Sequence, residues 1–456
     1  MDGRNIPGFY YEDQERKKYF RILPNHHAPP SGSKYAKENI KKRAEESKKR
    51  KLSEAFANQK RQQQVQQSIV LQSPIARSLE RELGRRGHHS QRKHDWAKAS
   101  AHGLQSRAVT DENDDDSEIL HFDVDPVTRS LVVGRTNDRI ESMFPKYNKY
   151  PDLTGSDVLE SNERLTSSVN SPPSYYCHTK RIYPLNSRIS SMNVSPVSGT
   201  LVTTTMGSSR PPIIHLTTHT DLTGISELYA PHDITTIWTS APSPSAAPSE
   251  TIAVGTSNAL LTLTRTSSTG WTTAKPLGLP SDAQALTWLS PTTLALGLRN
   301  ASIHLWDARS RGHRLCLVNR SAVTALRRAD DATRLVVAGL RSELALLDLR
   351  MPRAEPTARG PRPPSLPVLA FDYANEANAA LGLDVQPELG LVAAGDENGA
   401  VRVYSLRTGE TLREFAAQGG RDGERFRSHC VRFVEDERGE MRIMAALGKT
   451  VMEFAW

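Results

Sequence analysis

The segment Ser302-Ile303-His304-Leu305-Trp306-Asp307-Ala308-Arg309 decides the fold of this 456-residue chain. Its apolar and polar residues alternate with a period of two, which predicts a half-buried β-strand ending in Trp-Asp. Two further apolar runs, 285–289 and 293–297, precede it, and the second of them ends in a glycine. This order of three short strands separated by turns predicts one repeat of an all-β protein.

The same unit recurs along the chain. The next copy comprises residues 322–326, 335–339 and 343–347. We take the glycine of each second strand as a register mark, and two of the resulting separations match the length of a WD40 repeat. The seven marks are Gly134, Gly207, Gly255, Gly297, Gly339, Gly395 and Gly448. The sequence therefore predicts an all-β fold, a seven-bladed WD40 β-propeller, in which neighbouring blades cover each other's apolar faces.

The predicted propeller occupies residues 109–456. Loop insertions are expected where proline, serine and asparagine cluster, because proline cannot donate to a strand ladder. These insertions lie near residues 141–188, 241–250 and 351–367. The strand that closes the last blade is expected from the other end of the domain, around residues 105–110 or 119–122, and the sequence leaves both open.

Two regions precede the propeller. Residues 1–33 carry an aromatic motif that is predicted to form a hairpin with its turn near residues 13–15. Residues 34–108 form a basic, partly helical or disordered extension. Residues 1–108 hold 24 Lys and Arg against 11 Asp and Glu, whereas the rest of the chain holds 35 against 40. The basic charge of the protein therefore belongs to the N-terminal part.

A basic cluster stands out in the extension. It consists of Lys41, Lys42, Arg43, Lys48, Lys49, Arg50 and Lys51. Nuclear import is our preferred interpretation, and a solvated helix face or nucleic-acid contact are the alternatives. No aromatic residue interleaves with these lysines, which argues against a base-stacking surface. We therefore predict a nuclear protein, with a cytoplasmic pool left open.

Composition and motifs favour a binding scaffold over an enzyme. The three cysteines form no C-x-x-C pair, which favours a reducing compartment. No apolar run approaches the length of a membrane span, so no membrane partner is expected. We find no nucleophile elbow and no catalytic cysteine with a defensible partner. The expectation is a non-catalytic protein without a cofactor and without a metal site.

The residue two positions after the Trp-Asp aspartate repeats between blades. Arg309 follows Asp307, and Arg350 follows Asp348 in the next copy. A guanidinium there is not needed for blade packing, and its rigid fork suits bidentate recognition of carboxylates on a partner. The alternative is a solvated surface arginine. Arg407 occupies the matching position of the third copy.

Trp-Asp-x-Arg on adjacent blades resembles the signature of the WD40 substrate receptors of cullin-4 RING ubiquitin ligases. These receptors dock on the adaptor damage-specific DNA-binding protein 1. The N-terminal block Pro7-Gly8-Phe9-Tyr10-Tyr11, followed by Lys18 to Ile22, is similar to the opening of the WD-repeat protein 21 type, also called cullin-4-associated factor 4. Two departures are Leu347 in place of tryptophan and Ser405 in place of aspartate.

The resemblance implies a function and a set of site residues. The protein would link an unknown target protein to the cullin-4 complex, with the target presented by the opposite face and the central channel. The block Pro7 to Tyr11 is a possible partner-binding motif. The adaptor-facing rim would comprise Trp306, Asp307, Arg309, Asp348 and Arg350. The competing hypothesis is a nuclear WD40 scaffold in chromatin or ribosome assembly that uses its basic tail on nucleic acid.

Overall fold

A computed structural model provides the structure of the protein. It describes residues 10–13, 18–21, 88–110, 117–145, 175–176, 183–185, 187–207, 210–218, 221–229, 233–247, 249–267, 270–351, 363–416, 427–436 and 439–456. The chain divides into two compact units, Met1–Gln64 and Val65–Trp456. The predicted helices before residue 84 and the basic cluster at residues 41–51 lie outside the described residues.

The first unit contains an antiparallel hairpin of two short strands, β1 (Tyr10–Asp13) and β2 (Lys18–Arg21). In their register Tyr11 lies opposite Phe20. The second unit begins with the helix α1 (His88–Gly103) and the strand β3 (Gln105–Ala108). Seven antiparallel sheets follow, which are the seven blades of a β-propeller.

Each blade is a sheet whose strands pair mainly in chain order. Blade 1 contains β4 (Ile119–Val124), β5 (Leu131–Arg135), β6 (Arg139–Pro145), β7 (Tyr175–Tyr176) and β8 (Tyr183–Pro184). Blade 2 contains β9 (Ile189–Val194), β10 (Thr200–Thr205), β11 (Ile213–Thr218) and β12 (Asp221–Tyr229). Blade 3 contains β13 (Ile237–Pro242), β14 (Thr251–Thr256), β15 (Ala259–Arg265), β16 (Trp271–Thr273) and β17 (Leu277–Gly278).

The remaining four blades follow the same plan. Blade 4 contains β18 (Ala283–Ser290), β19 (Thr293–Leu298), β20 (Ser302–Asp307) and β21 (His313–Val318). Blade 5 contains β22 (Val323–Arg328), β23 (Arg334–Gly339), β24 (Leu344–Asp348) and β25 (Leu369–Ala370). Blade 6 contains β26 (Leu383–Gln386), β27 (Leu391–Gly395), β28 (Val401–Ser405) and β29 (Thr411–Phe415). Blade 7 contains β30 (Ser428–Glu435), β31 (Met441–Leu447) and β32 (Thr450–Ala455), and β3 completes it.

The first strand of each blade contacts the first strand of the next, and β30 contacts β4, so the seven blades form a closed ring. The closing strand is β3, in which Gln105 pairs with Ala455 and Ala108 with Met452 of β32. Of the two candidates that the sequence left open, residues 105–108 close the ring, while Ile119–Val124 is the first strand of blade 1. Closure protects the outer edge of β32 by pairing it with a strand from the other end of the domain.

The core lies between blades, and the glycine marks show how closely the blades approach each other. Gly297 lies inside β19, and a Cβ there would sit 2.4 Å from Cγ1 of Val323 in blade 5. A Cβ added at Gly395 would likewise lie 2.5 Å from Cβ of Ser428 in blade 7. Five of the seven marks lie within second strands, as the sequence analysis placed them. The next blade leaves no space for a Cβ at four of these, Gly134, Gly255, Gly297 and Gly395, whereas at Gly339 the space is filled by Ser321, which precedes β22. Only Gly207 and Gly448 follow their second strands, both with positive φ.

Helix α1 packs on blades 6 and 7. Its buried side chains include His94, Ala97, Ser100 and Ala101, and Leu104 follows directly after it. Ala97, Ala101 and Leu104 belong to one apolar cluster with residues of both blades. The spacing is helical, but the buried residues are small or polar, so the sequence shows no apolar stripe. For this reason the sequence analysis did not single out this helix within the extension.

Candidate functional site

The predicted rim residues lie at the corners where the third strands of blades 4, 5 and 6 end. Each corner donates one backbone hydrogen bond to the turn between the first and second strands of its own blade. These bonds run from Ala308 N to Thr292 O (2.9 Å), from Leu349 N to Thr333 O (2.8 Å) and from Leu406 N to Gly390 O (2.8 Å). The three corners are therefore structurally equivalent, as their sequence alignment predicted.

A large buried side chain anchors each corner against the preceding blade. Trp306 is 5% exposed and packs edge to face on Trp288, with 6.2 Å between ring centroids. Leu347 packs among residues of blade 4, and Tyr404 among residues of blade 5, where its hydroxyl donates to Asp372 O at 2.8 Å. Trp306 is thus part of the interior. It holds the blade 4 corner and has little surface to offer a partner.

At the blade 4 corner the Arg309 guanidinium folds back onto Asp307. Nε donates to Oδ1 at 3.2 Å and Nη2 to Oδ2 at 2.9 Å, while the backbone N–H of Arg309 donates to Oδ1 at 2.8 Å. The hydrogen bonds from Arg309 lower the pKa of Asp307 below its usual value. The Arg309 side chain remains 75% exposed. The pair therefore fixes the direction of a guanidinium that solvent can still reach.

The blade 5 corner repeats this geometry. Arg350 Nε and Nη2 donate to the two oxygens of Asp348 at 3.0 and 2.7 Å, and its backbone N–H donates to Oδ1 at 2.9 Å. The side-chain hydrogen bonds from Arg350 are the main cause that lowers the pKa of Asp348 to about 2. Asp348 is 10% exposed and Arg350 is 60% exposed. Arg334 adds a second cation, with Nε 3.6 Å from Asp348 Oδ2.

The blade 6 corner differs. Ser405 replaces the aspartate, is fully buried, and its hydroxyl lies 3.1 Å from Nδ1 of His94 in α1. The other nitrogen of His94 is 3.8 Å from Glu410. Among the described residues, Arg407 forms no ion pair with a carboxylate. Helix α1 therefore covers Ser405, while Arg407 is exposed but held by no aspartate, and the corners of blades 4 and 5 are the two exposed Asp-x-Arg corners among the three.

The two exposed corners form a small surface that we call the Asp-x-Arg rim, comprising Asp307, Arg309, Asp348 and Arg350. Each guanidinium is already held by a carboxylate, and its remaining N–H groups are free of the blade core. Such a preorganised guanidinium can donate its remaining N–H groups to a carboxylate or carbonyl oxygen of a partner at a low cost in side-chain entropy.

The other predicted site residues fall partly outside the described part of the chain. Tyr10 and Tyr11 lie in β1, whereas Pro7, Gly8 and Phe9 are not among the described residues. In the portion of the chain that the structure describes, no cluster of His, Cys, Asp and Glu side chains has an arrangement that would hold a metal ion. No described helix combines the length and the apolar content needed to cross a bilayer.

The sequence analysis missed the polar lining of the central channel. Arg327 Nε donates to Asp384 at 3.0 Å, and Arg432 Nη2 donates to Asn193 at 2.7 Å. Arg327 lies near the end of β22 (Val323–Arg328), and Arg432 lies in the middle of β30 (Ser428–Glu435). A charge inside such a strand was the signal available. It could be interpreted only once the first strands were known to surround a channel.

Comparison with known proteins gives little further information. No protein-family model matches the chain. A segment of 79 residues is 41% identical to a Saccharomyces cerevisiae protein described as "Uncharacterized protein YGL176C". The match covers 16% of this chain and 14% of the yeast protein. The fold is therefore the firm result, since it rests on the seven closed sheets themselves. A β-propeller is typical of scaffold or receptor proteins, but the fold alone does not specify a function.

Proposed function

We propose that this protein is a substrate receptor of a cullin-4 RING ubiquitin ligase and that the Asp-x-Arg rim contacts the adaptor damage-specific DNA-binding protein 1. The observation that carries the proposal is the matched geometry of Asp307–Arg309 and Asp348–Arg350. Two adjacent blades hold an exposed arginine in the same way, although blade packing does not require either guanidinium. The protein's contribution to ubiquitin transfer would be proximity, with catalysis supplied by other subunits.

Two further features support this assignment. Helix α1 lies beside the rim, at the corner of blade 6, and would extend the adaptor-facing surface. The N-terminal aromatic block resembles that of the cullin-4-associated factor 4 type. The two departures from the Trp-Asp-x-Arg pattern have a physical explanation. Leu347 fills the same buried position as Trp306, and Ser405 lies under α1, so neither departure disturbs the two exposed corners.

The test is co-purification of the adaptor and the cullin with the full chain from cells. The variant Arg309→Ala with Arg350→Ala should lose most of the adaptor, because both exposed forks are removed. The matched control is Arg299→Ala with Arg314→Ala. Arg299 is also an exposed arginine in a surface ion pair, with Asp282 at 3.4 Å, and Arg314 lies exposed on the outermost strand of blade 4. Unchanged recovery of the adaptor with the rim variant would refute the rim assignment.

Deleting the basic cluster tests both the predicted nuclear localisation and the alternative scaffold function. Deleting residues 34–60 should redistribute a fluorescently tagged protein from the nucleus to the cytoplasm. If the protein instead used this tail on nucleic acid, it would bind RNA or DNA with a steep salt dependence that the same deletion abolishes. Salt-independent binding, or binding that survives the deletion, would exclude that alternative.

A further inference from the structure

The first strands of the blades place a ring of side chains in the central channel. In six of these first strands the pairing register shifts within the first four residues, so each has a β-bulge near its start. Bulges redirect side chains and are frequent beside binding sites. The bulge residues that line the channel are Leu120, Ser190, Trp238, Gln284, Thr324 and His429, which we call the bulge ring. The channel encloses a cavity of about 740 Å³.

The bulge ring presents polar atoms that the fold itself does not use. Trp238 Nε1 and Gln284 Oε1 are buried and have no hydrogen-bond partner among the described residues, and the same holds for Nε of Arg432 deeper in the channel. Trp238 and Gln284 occupy the same register position on neighbouring strands. Buried donors and acceptors in proteins are nearly always paired. A donor and an acceptor held side by side are suited to a ligand that carries both kinds of group, as a peptide backbone does.

Cations surround the mouth of the channel, at the end where the first strands begin. Arg188 and Arg427 are exposed, line the channel, and form no ion pair with a described residue. The described lining contains four arginines and only one carboxylate, Asp384, which is paired with Arg327. Because third strands end where first strands end, the Asp-x-Arg rim lies on the opposite face. The channel mouth is therefore free when the rim is occupied.

The pKa values of the two channel histidines are lowered, which means that the positive charge of the channel comes from the arginines. Burial, reinforced by His429, Arg432 and Arg188, lowers the pKa of His121 to about 3. Burial also lowers the pKa of His429, against the effect of Glu118, whose carboxylate lies 4.0 Å away. Two other carboxylates act nearby, with Asp123 close to Arg432 and Asp138 close to Arg188. Both histidines are neutral at neutral pH, so the arginines supply the positive charge.

We propose that this channel mouth binds an acidic peptide segment. Its carboxylate or phosphate groups would pair with Arg188 and Arg427. Its backbone would bond to Trp238 and Gln284 after a change of side-chain rotamer that brings their enclosed polar atoms to the channel surface. The cavity has the size of pockets that hold drug-sized ligands, which excludes a nucleic-acid duplex. The unpaired acceptor on Gln284 also favours a peptide over a phosphodiester backbone, which lacks N–H groups. That this peptide belongs to a ubiquitylation target rests on the proposed function, whereas its binding to the channel does not.

The experiment measures binding of fluorescein-labelled peptides to the purified full chain by anisotropy, without adaptor. Three eight-residue Gly-Ser peptides carry, at the same central positions, three Glu, three Gln or three phosphoserines. Loss of charge-assisted hydrogen bonds should make the Gln peptide bind about tenfold or more weakly than the Glu peptide. Phosphoserine binding about tenfold tighter than Glu would identify a phosphorylated ligand, and equal binding a carboxylate ligand.

Matched variants locate the binding site. Arg188→Glu with Arg427→Glu should weaken binding of the anionic peptides about tenfold or more, because attraction becomes repulsion. Arg314→Glu changes the charge on the outer perimeter and should leave binding unchanged. Trp238→Phe keeps an aromatic side chain but removes the N–H group together with the five-membered ring, and should weaken binding several-fold. Thermal unfolding of each variant shows whether the fold is retained.

Three outcomes would overturn the proposal. The first is no detectable binding of either anionic peptide, or equal binding of the Glu and Gln peptides. The second is an effect of Arg314→Glu as large as that of the channel variant, which would indicate binding elsewhere. The third is preferential binding of a labelled single-stranded oligonucleotide of eight nucleotides. Because no adaptor is present, these outcomes are independent of the result of the co-purification test.

Discussion

The corners of blades 4 and 5 contrast with the corner of blade 6. All three end a third strand, bury a large side chain against the preceding blade and bond to the neighbouring turn. In blades 4 and 5 the next residue is an aspartate that holds an exposed arginine. In blade 6 it is Ser405, which is covered by His94 of α1. One position in the repeat is thus a surface site in two blades and an intramolecular contact in the third.

This difference shows what a repeat motif does and does not specify. The buried residue specifies the blade, because its side chain fills the interface to the preceding blade whether it is Trp306, Leu347 or Tyr404. The following residue specifies what happens at the surface. An aspartate is charged and is stabilised by solvent and by an arginine partner. A serine is neutral, so it can be buried under a helix when its hydroxyl forms one hydrogen bond. The function of the corner therefore depends on a single residue and on what covers it.

The largest effect is expected from removing the buried anchor of blade 4. Trp306→Ala deletes an indole that is 5% exposed, and such a cavity costs about 3–5 kcal/mol. Leu347→Ala at the equivalent position of blade 5 should cost about 2–5 kcal/mol. Urea unfolding and the thermal midpoint measure both. A change for Trp306→Ala no larger than that for Arg309→Ala would show that the anchor does not hold the corner.

A smaller effect is expected from detaching the helix at blade 6. Ala101 is fully buried between α1 and the blades, so Ala101→Leu should destabilise the protein by about 1–3 kcal/mol through overpacking. Hydrogen exchange should accelerate in residues 94–104 and remain unchanged in β20 and β24. Lys98→Leu places the same side chain on the exposed face of the helix and is the control. Equal effects of the two substitutions would contradict the proposed packing.

A still smaller effect is expected from removing the hydrogen bond between His94 of the helix and Ser405 of the corner. His94→Ala loses the hydrogen bond to Ser405, for which about 1 kcal/mol is typical. The Ser405 hydroxyl keeps the backbone N–H groups of Arg407 and Thr408 as donors, each at 3.4 Å, which limits the loss. The free energy of unfolding from urea titration is the measurement. A loss comparable to that of Trp306→Ala would mean that His94 has a further role.

The smallest effect on stability, and the one that depends on pH, is expected from Arg350→Ala. An exposed ion pair contributes less than about 1 kcal/mol. Because the pKa of Asp348 is lowered from 3.8 to about 2 in the folded state, its stabilisation is present above pH 3.8 and is lost as the pH falls towards 2. The stability difference between wild type and Arg350→Ala should therefore be constant near neutral pH and vanish in acid. Arg314→Ala should show no such dependence.

Sequence patterns were sufficient to predict the blades but not the contacts between them. Trp306 and its period-two neighbours predicted a strand, and the glycines marked its repetition. The glycines marked the repeats for a reason that the sequence did not reveal. At Gly297, for example, Val323 of the next blade leaves no space for a Cβ. Helix α1 escaped notice because its buried face consists of small and polar residues. Its partners are more than 280 residues away in sequence.

By itself the sequence determined the fold class, the number of blades and the matched positions of Arg309 and Arg350 two residues after an aspartate, because these depend on local periodicity and on spacing within one repeat. Only the tertiary structure decided which end closes the ring, that α1 covers Ser405 at the third corner, and that Arg188 and Arg427 both line the channel mouth. These features join residues from distant repeats. Their positions follow from closure of the seven blades, which no single repeat encodes.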